Sequence, residues 1–168
     1  MGAGRLGSAP LPALRPEDHV RGPEDGRLVM VYADFECPFC AAVEVRLRDL
    51  PLRVAFRHFP VTTSHPRAMA AACAAEAADR QGAFWPMHDA LFADQGRLDD
   101  PHLWARAEAL GLDVGAFEAD RRSEGVRGRV TGDFRTGIRA GVVSTPTLFV
   151  GGHRHSGRPT PALWELLS

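Results

Sequence analysis

The chain has neither lysine nor asparagine among its 168 residues, and all 20 of its basic residues are arginine. Without lysine there is no Schiff-base amine and no phosphate-binding P-loop lysine. Without asparagine there is no N-glycosylation sequon, and a Cys-His-Asn hydrolase is excluded, although a Cys-His-Asp one is not. An excess of one charge is also missing. The formal net charge is −1, which argues against nucleic acid or an anionic membrane as partner. No apolar run approaches membrane-spanning length. Met1 to Leu14, interrupted by Gly7, Pro10 and Pro12, lacks the continuous apolar core of a signal peptide. The expected location is therefore the cytoplasm. Cysteine is scarce, three residues in all, and three thiols in a reducing compartment do not make a structural disulfide framework.

Two of those three form the most informative motif, Cys37-Pro38-Phe39-Cys40. It lies between the apolar run Leu28 to Ala33, read as a buried strand, and a helical stretch ending near Leu50 whose Val43, Leu47 and Leu50 share a face. Pro38 suits the first turn of that helix. A thiol at a helix N-terminus faces unpaired N–H groups and the positive end of the helix dipole, which favour the thiolate. Thiolates attack disulfides, and two thiols two residues apart close a ring reversibly.

Around the motif, Leu52, Val54, Phe56 and His58 alternate with Arg53, Ala55 and Arg57, as a second strand does. Residues 1–15 read as a flexible arm and 16–26 as a polar, turn-prone segment. From His65 to Ala140 the period is helical and predicts four or five helices, the last marked by Val126, Val130, Phe134 and Ile138. The arginines between Arg121 and Arg139, with Glu124 and Asp133 among them, read as a solvated helix face. Thr147 to Val150, Gly151-Gly152 and His153 to Ser156 read as a hairpin, and Thr160-Pro161 opens a closing helix.

This order of elements resembles the thioredoxin fold, and the long helical insertion resembles its DsbA-like branch. The similarity rests on residues 34–40 (DFECPFC), 56–60 (FRHFP), 82–88 (GAFWPMH) and 141–147 (GVVSTPT). Asp18 to Pro23 resembles a subgroup also found fused to sodium/proton antiporters. The resemblance implies an α/β, thioredoxin-like domain from 16–64 and 141–168, with a helical subdomain inserted at 65–140. It implies that Cys37 is the attacking thiolate and Cys40 the resolving thiol. Thr145-Pro146 would be a cis-proline loop that pairs with the substrate backbone. Phe39 is expected at the active surface, beside Pro38, contacting a protein client. One departure is Val31, which stands where many relatives keep a buried acid; Asp34 and Glu36 are the nearby candidates for handling the Cys40 proton. With Pro38-Phe39 between the thiols there is no histidine inside the ring, so an intermediate oxidising power is expected.

The reading is thus a protein dithiol-disulfide oxidoreductase with protein thiol or disulfide substrates and a separate recycling partner. It needs no cofactor, because the electrons reside in the sulfur pair. A redox-sensing binding module is one alternative. A glutathione-dependent isomerase or transferase is another, although such relatives generally lack the second cysteine. Zinc is disfavoured because no second Cys or His pair stands at ligand spacing. Cys73 reads as a small buried apolar side chain, and His153 and His155 as a solvated pair. His58 and His65 are candidates for stabilising the Cys37 thiolate.

Overall fold

A computed structural model describes residues 4–168; Met1–Ala3, part of the expected arm, lie outside the described residues. The apolar run forms strand β3 (Arg27–Ala33) and the alternating run forms β4 (Leu52–His58), parallel to it in the register Val31↔Phe56. Helix α1 (Pro38–Leu47) crosses between them. The late hairpin is present as β5 (Thr147–Val150) and β6 (His153–Ser156), with β5 antiparallel to β3. Gly151 and Gly152 have φ of 52° and 77°, the left-handed conformation that a two-residue hairpin turn demands.

Two further strands lie where none was expected. Within the stretch read as an arm, β1 (Arg5–Ser8) pairs antiparallel with β6; within the polar segment, β2 (His19–Arg21) pairs antiparallel with β4. Both are short and satisfy the edges that β4 and β6 would otherwise expose. The sheet order is β1-β6-β5-β3-β4-β2.

Between β4 and β5 run five helices: α2 (Ala68–Asp79), α3 (Phe84–Ala93), α4 (Asp100–Ala109), α5 (Val114–Arg121) and α6 (Glu124–Arg139). A final helix, α7 (Pro161–Leu167), is capped by Thr160, whose hydroxyl accepts from Leu163 N–H. One face of the sheet buries Val29, Val31 and Phe56 against α1, α2, α3 and α7. The other buries Met30, Tyr32, Phe59 and Phe149 beneath Phe134.

Two sequence readings are corrected here. Strand alternation leaves Arg57 for solvent, yet it is 2% exposed. Its guanidinium donates to both Asp18 carboxylate oxygens at 2.9 and 2.7 Å and to the Tyr32 hydroxyl at 2.8 Å. The apolar stripe on α6 also rotates out of register. Each i+4 step advances about 40° around a helix, so Val126 and Val130 are buried while Ile138 is 55% exposed. Asp133 and Gly137 take the inner face instead. Asp133 accepts from His58 N–H at 3.0 Å and from Arg15 and Arg129, while Arg127, Arg135 and Arg139 form the solvated face that the sequence suggested.

At Gly137 a Cβ would stand 2.7 Å from Phe59 Cδ2 and 3.0 Å from Tyr32 Cδ1. Alanine favours helix by about 1 kcal/mol, but overpacking a rigid aromatic contact costs about 1–3 kcal/mol. Gly137→Ala is expected to lower the urea midpoint of unfolding. A higher midpoint would show that α6 lifts off the sheet without loss.

Candidate functional site

The dithiol sits where β3 ends and α1 begins. Cys37 is the N-cap residue of α1, in extended conformation, and Pro38 follows at the first turn, where its missing N–H costs nothing. No side chain caps this helix, so its first amides remain available to the Cys37 sulfur. The loop before it is fixed from several sides. Cys37 N–H donates to Asp34 C=O at 3.1 Å. The Gln95 amide donates to both Phe35 C=O and Cys37 C=O at 2.8 Å. Gln95 has no motif to announce it, and nothing in the sequence marked it.

All three cysteines are free. Cys37 and Cys40 are 4% and 0% exposed, so the first thiol is more covered than its expected role suggested. The Thr145 loop covers it: the Cys37 thiol donates to Thr145 C=O at 3.6 Å, and the Thr145–Pro146 peptide is cis. Thr145 and Pro146 are buried, Pro38 is exposed and Phe39 half-buried. These residues, distant in sequence, therefore meet around one sulfur.

The two thiols differ in acidity far more than in exposure. A hydrogen bond from the Cys40 side chain lowers the Cys37 pKa to about 6, against the opposing effect of burial, with help from the Cys40 amide and the Thr145 side chain. Burial, together with the neighbouring Cys37 sulfur, pushes Cys40 well above the usual thiol range. Both influences point the same way: ionisation is favoured at Cys37 and disfavoured at Cys40.

Asp34 is 1% exposed, and its carboxylate accepts from Glu36 N–H, Val61 N–H and His65 Nδ1, each at 2.8 Å. It is the Asp34 backbone N–H that reaches Cys40 Sγ, at 3.5 Å. The Glu36 carboxylate accepts from Arg67 N–H at 2.8 Å. Both candidate acids are thus engaged elsewhere. Burial opposes protonation of His65, but the Asp34 hydrogen bond and the negative charges of Asp34, Cys37 and Glu36 outweigh it and raise its pKa. Val31 is fully buried in the apolar core.

A buried acid does exist, one turn beyond Cys40. Glu44 is 1% exposed, and Oε2 lies 3.1 Å from Nε2 of the buried His88. Burial opposes the charge on His88, yet Glu44 and Asp89 raise its pKa. The helical period held this signal, since Glu44 is four residues beyond Cys40 and so shares its buried side of α1.

His58 belongs to another cluster. His19 Nε2 and His58 Nε2 lie 2.6 and 2.7 Å from one oxygen of the buried Glu76. Ligand atoms on a tetrahedral zinc with bonds of 2.0–2.1 Å stand roughly 3.3 Å apart, so these separations are those of hydrogen bonds. Cys73 is 4% exposed in the main core, and burial raises its pKa. His153 is exposed, whereas His155 is fully buried with Nε2 3.2 Å from Thr160 Oγ1; the two do not form a solvated pair.

A family model described as thioredoxin matches residues 15–167. The Na(+)/H(+) antiporter NhaA 3 of Salinispora tropica is 46% identical over an alignment 149 residues long that covers 83% of this chain and 22% of the antiporter. The Na(+)/H(+) antiporter NhaA of Herminiimonas arsenicoxydans is 44% identical over an alignment 154 residues long that covers 87% of this chain and 24% of that protein. The chain therefore spans less than a third of the length of these relatives. Among solved structures, a thioredoxin-like oxidoreductase from Silicibacter pomeroyi DSS-3 superposes with a TM-score of 0.79 at 23% identity, covering 90% of both chains. The thiol-disulfide exchange protein alpha-DsbA2 from Wolbachia pipientis gives 0.75 at 18% identity, covering 89% and 84%. At these identities the structural likeness is one of fold. Among the described residues, no helix is long and apolar enough to cross a membrane.

Proposed function

Because the chain belongs to the thioredoxin family and has the DsbA-like form of its fold, we propose that it is a thiol-disulfide oxidoreductase acting on protein substrates through Cys37 and Cys40. The observation that carries this reading is the placement of Cys37 at the uncapped N-terminus of α1, with the Thr145 loop against its sulfur and Cys40 fully buried one turn in; the opposed acidity of the two thiols agrees with it. Cys37 is the nucleophile, ionised at neutral pH, and Cys40 is held protonated until it is needed.

In the reducing direction the Cys37 thiolate attacks one sulfur of a client disulfide. A mixed disulfide forms and the other client sulfur leaves as a thiolate. Cys40 then attacks Cys37 Sγ, its proton passing to the client thiolate released in the first step; this breaks the mixed disulfide and releases the second client sulfur, which leaves as a thiolate and is protonated from solvent. The protein ends as the Cys37–Cys40 disulfide and the client as the dithiol, two electrons having passed between them. Oxidation of a client dithiol is the reverse sequence. Either direction needs a separate thiol or disulfide partner to restore the starting state. In a reducing cytoplasm, the expected location, the resting form is the dithiol.

Thr145 and Pro146 form the loop against which the client backbone lies, with Pro38 and Phe39 contacting it from the other side. In this reading the helices of residues 65–140 are a subdomain inserted into a thioredoxin-like unit of 16–64 and 141–168. Alkylation of the reduced protein by iodoacetamide tests the assignment. Cys37 is expected to react with a pH midpoint of about 6 while Cys40 stays unmodified at neutral pH. Faster modification of Cys40, or a Cys37 midpoint near the ordinary thiol value of about 8.5, overturns it.

A second reading has one observation behind it, the likeness to a segment of antiporter chains. In that reading the dithiol reports redox state to a bound or attached partner. Catalysed reduction of insulin by dithiothreitol favours the enzyme, and inertness with an intact, ionised Cys37 favours the sensor.

A further inference from the structure

Beside the dithiol a groove of about 600 Å³ runs from Phe39 along Val143, Ser144 and Thr145 to Arg158 and then to Arg5 and Leu6 on β1. This volume is in the range of sites for a small ligand or a short extended peptide, about 300–1,000 Å³. Its walls have two properties. Val143 is 85% exposed and Leu6 44% exposed, so apolar surface waits uncovered on both sides. The charged residues of the lining are Arg5, Arg154 and Arg158, with no acid among them. Among the described residues, none of these arginines takes part in an ion pair or donates a side-chain hydrogen bond. Other arginines without an ion pair, such as Arg53, Arg135 and Arg139, are not among the residues that line the groove, whereas these three line it together without a carboxylate among them; the arginine clusters at Asp100 and Glu118 are threaded with carboxylates.

We propose that this groove selects acidic polypeptide clients, in which carboxylates flank the cysteine presented to Cys37. The inference rests on the oxidoreductase reading above and names its substrate class. Three guanidinium groups with no carboxylate partner create a positive field over the path of the client, and complementary charge raises encounter rates and rejects like-charged competitors. The carriers lie on adjacent strands β1 and β6 and in the loop after β6, a row of positive charge that an extended segment bearing several carboxylates can follow. A small thiol such as glutathione would leave Val143 and Leu6 uncovered. An extended acidic segment with apolar residues between its carboxylates covers both kinds of surface.

The test compares two peptides, each closed by one disulfide and alike except that aspartates in one replace arginines in the other beside the cysteines. The full chain is expected to reduce the acidic peptide with a kcat/KM on the order of tenfold higher at low salt, and the difference is expected to shrink at high salt. In the double variant Arg5→Glu with Arg158→Glu, the ratio of acidic to basic turnover within the same preparation is expected to invert. Equal rates for the two peptides, or a ratio that the double variant leaves in place, overturn the inference. Glutathione disulfide is the third substrate. If its kcat/KM matches that of the acidic peptide and falls as far in the variant, the occupant is a small anionic thiol and the polypeptide claim fails. Neutral hydroxyethyl disulfide reports on the underlying reading, which fails if the unmodified chain does not turn it over. In that case binding of the acidic and basic peptides in their dithiol forms, read by fluorescence anisotropy, still decides the groove: tighter acidic binding supports it and equal binding overturns it.

Discussion

Replacing Cys37 with serine is expected to lower catalysed insulin reduction by on the order of 10³-fold or more, the scale of losing a nucleophile, while Cys40→Ser accumulates a covalent complex with client. The asymmetry follows from the order of the steps. Serine at position 37 is not ionised near neutral pH and forms no disulfide, so no first step occurs. Serine at position 40 leaves the first step intact and removes the second, so the mixed disulfide persists until an external thiol resolves it. Cys40→Ala separates two further effects. The Cys40 side chain is the largest influence lowering the Cys37 pKa, and alanine has no hydrogen to donate. The alkylation midpoint of Cys37 is expected to rise by about one unit, corresponding to about 1.4 kcal/mol of lost thiolate stabilisation. Cys40→Ser, which keeps a donor, is expected to move it less. Gel mobility under non-reducing conditions and the pH profile of alkylation check both points. A Cys37→Ser protein that still reduces insulin, or a midpoint indifferent to Cys40→Ala, removes the proposed division of labour.

The parts of this chain that were legible in its sequence are those governed by local rules. A continuous apolar run before CxxC gave β3, a proline just inside the helix gave the start of α1, and a Gly-Gly pair gave the β5–β6 turn. The helical period from His65 onwards pointed to four or five helices, and five are present, because packing there follows one face at a time. What sequence hid depends on contacts between distant segments. The edge strands β1 and β2 have weak patterns of their own and exist because β6 and β4 offer unpaired backbone. Arg57 is inward only because Asp18 and Tyr32 arrive from elsewhere to satisfy it. The same holds at the site. The motif located Cys37 and Cys40, but Gln95 acts by closing onto two carbonyls nearly 60 residues earlier in the chain. Asp34 looked like a proton carrier beside the dithiol, and the fold turned its carboxylate to Val61 and His65.

The second large effect is expected in acid, and it comes from two carboxylates of the scaffold. Burial alone would raise the pKa of Glu76, but hydrogen bonds from His19 and His58 overcome it and hold the carboxyl well below its usual range. Asp18 is lowered to about 2, its burial offset by the Arg57 and Arg15 contacts. A carboxylate whose pKa is lower folded than unfolded contributes stability above its unfolded pKa, near 4, and loses it as pH falls through the folded value. For Asp18, a fall from 3.8 to about 2 corresponds to roughly 2 kcal/mol. Glu76 adds to this in the same direction. These two carboxylates are therefore expected to contribute fully above about pH 5 and to lose their contribution progressively as pH falls from about 5 towards 2. Glu76→Ala imposes part of that loss at neutral pH, because two buried imidazoles lose their shared acceptor; the expected cost is about 3 kcal/mol. Glu76→Gln keeps a carbonyl oxygen for them and is expected to cost less, while its urea midpoint falls less steeply on acidification because the ionisable group is gone. A Glu76→Gln protein whose midpoint tracks pH as the parent's does would show that this triad holds no acid-labile stability.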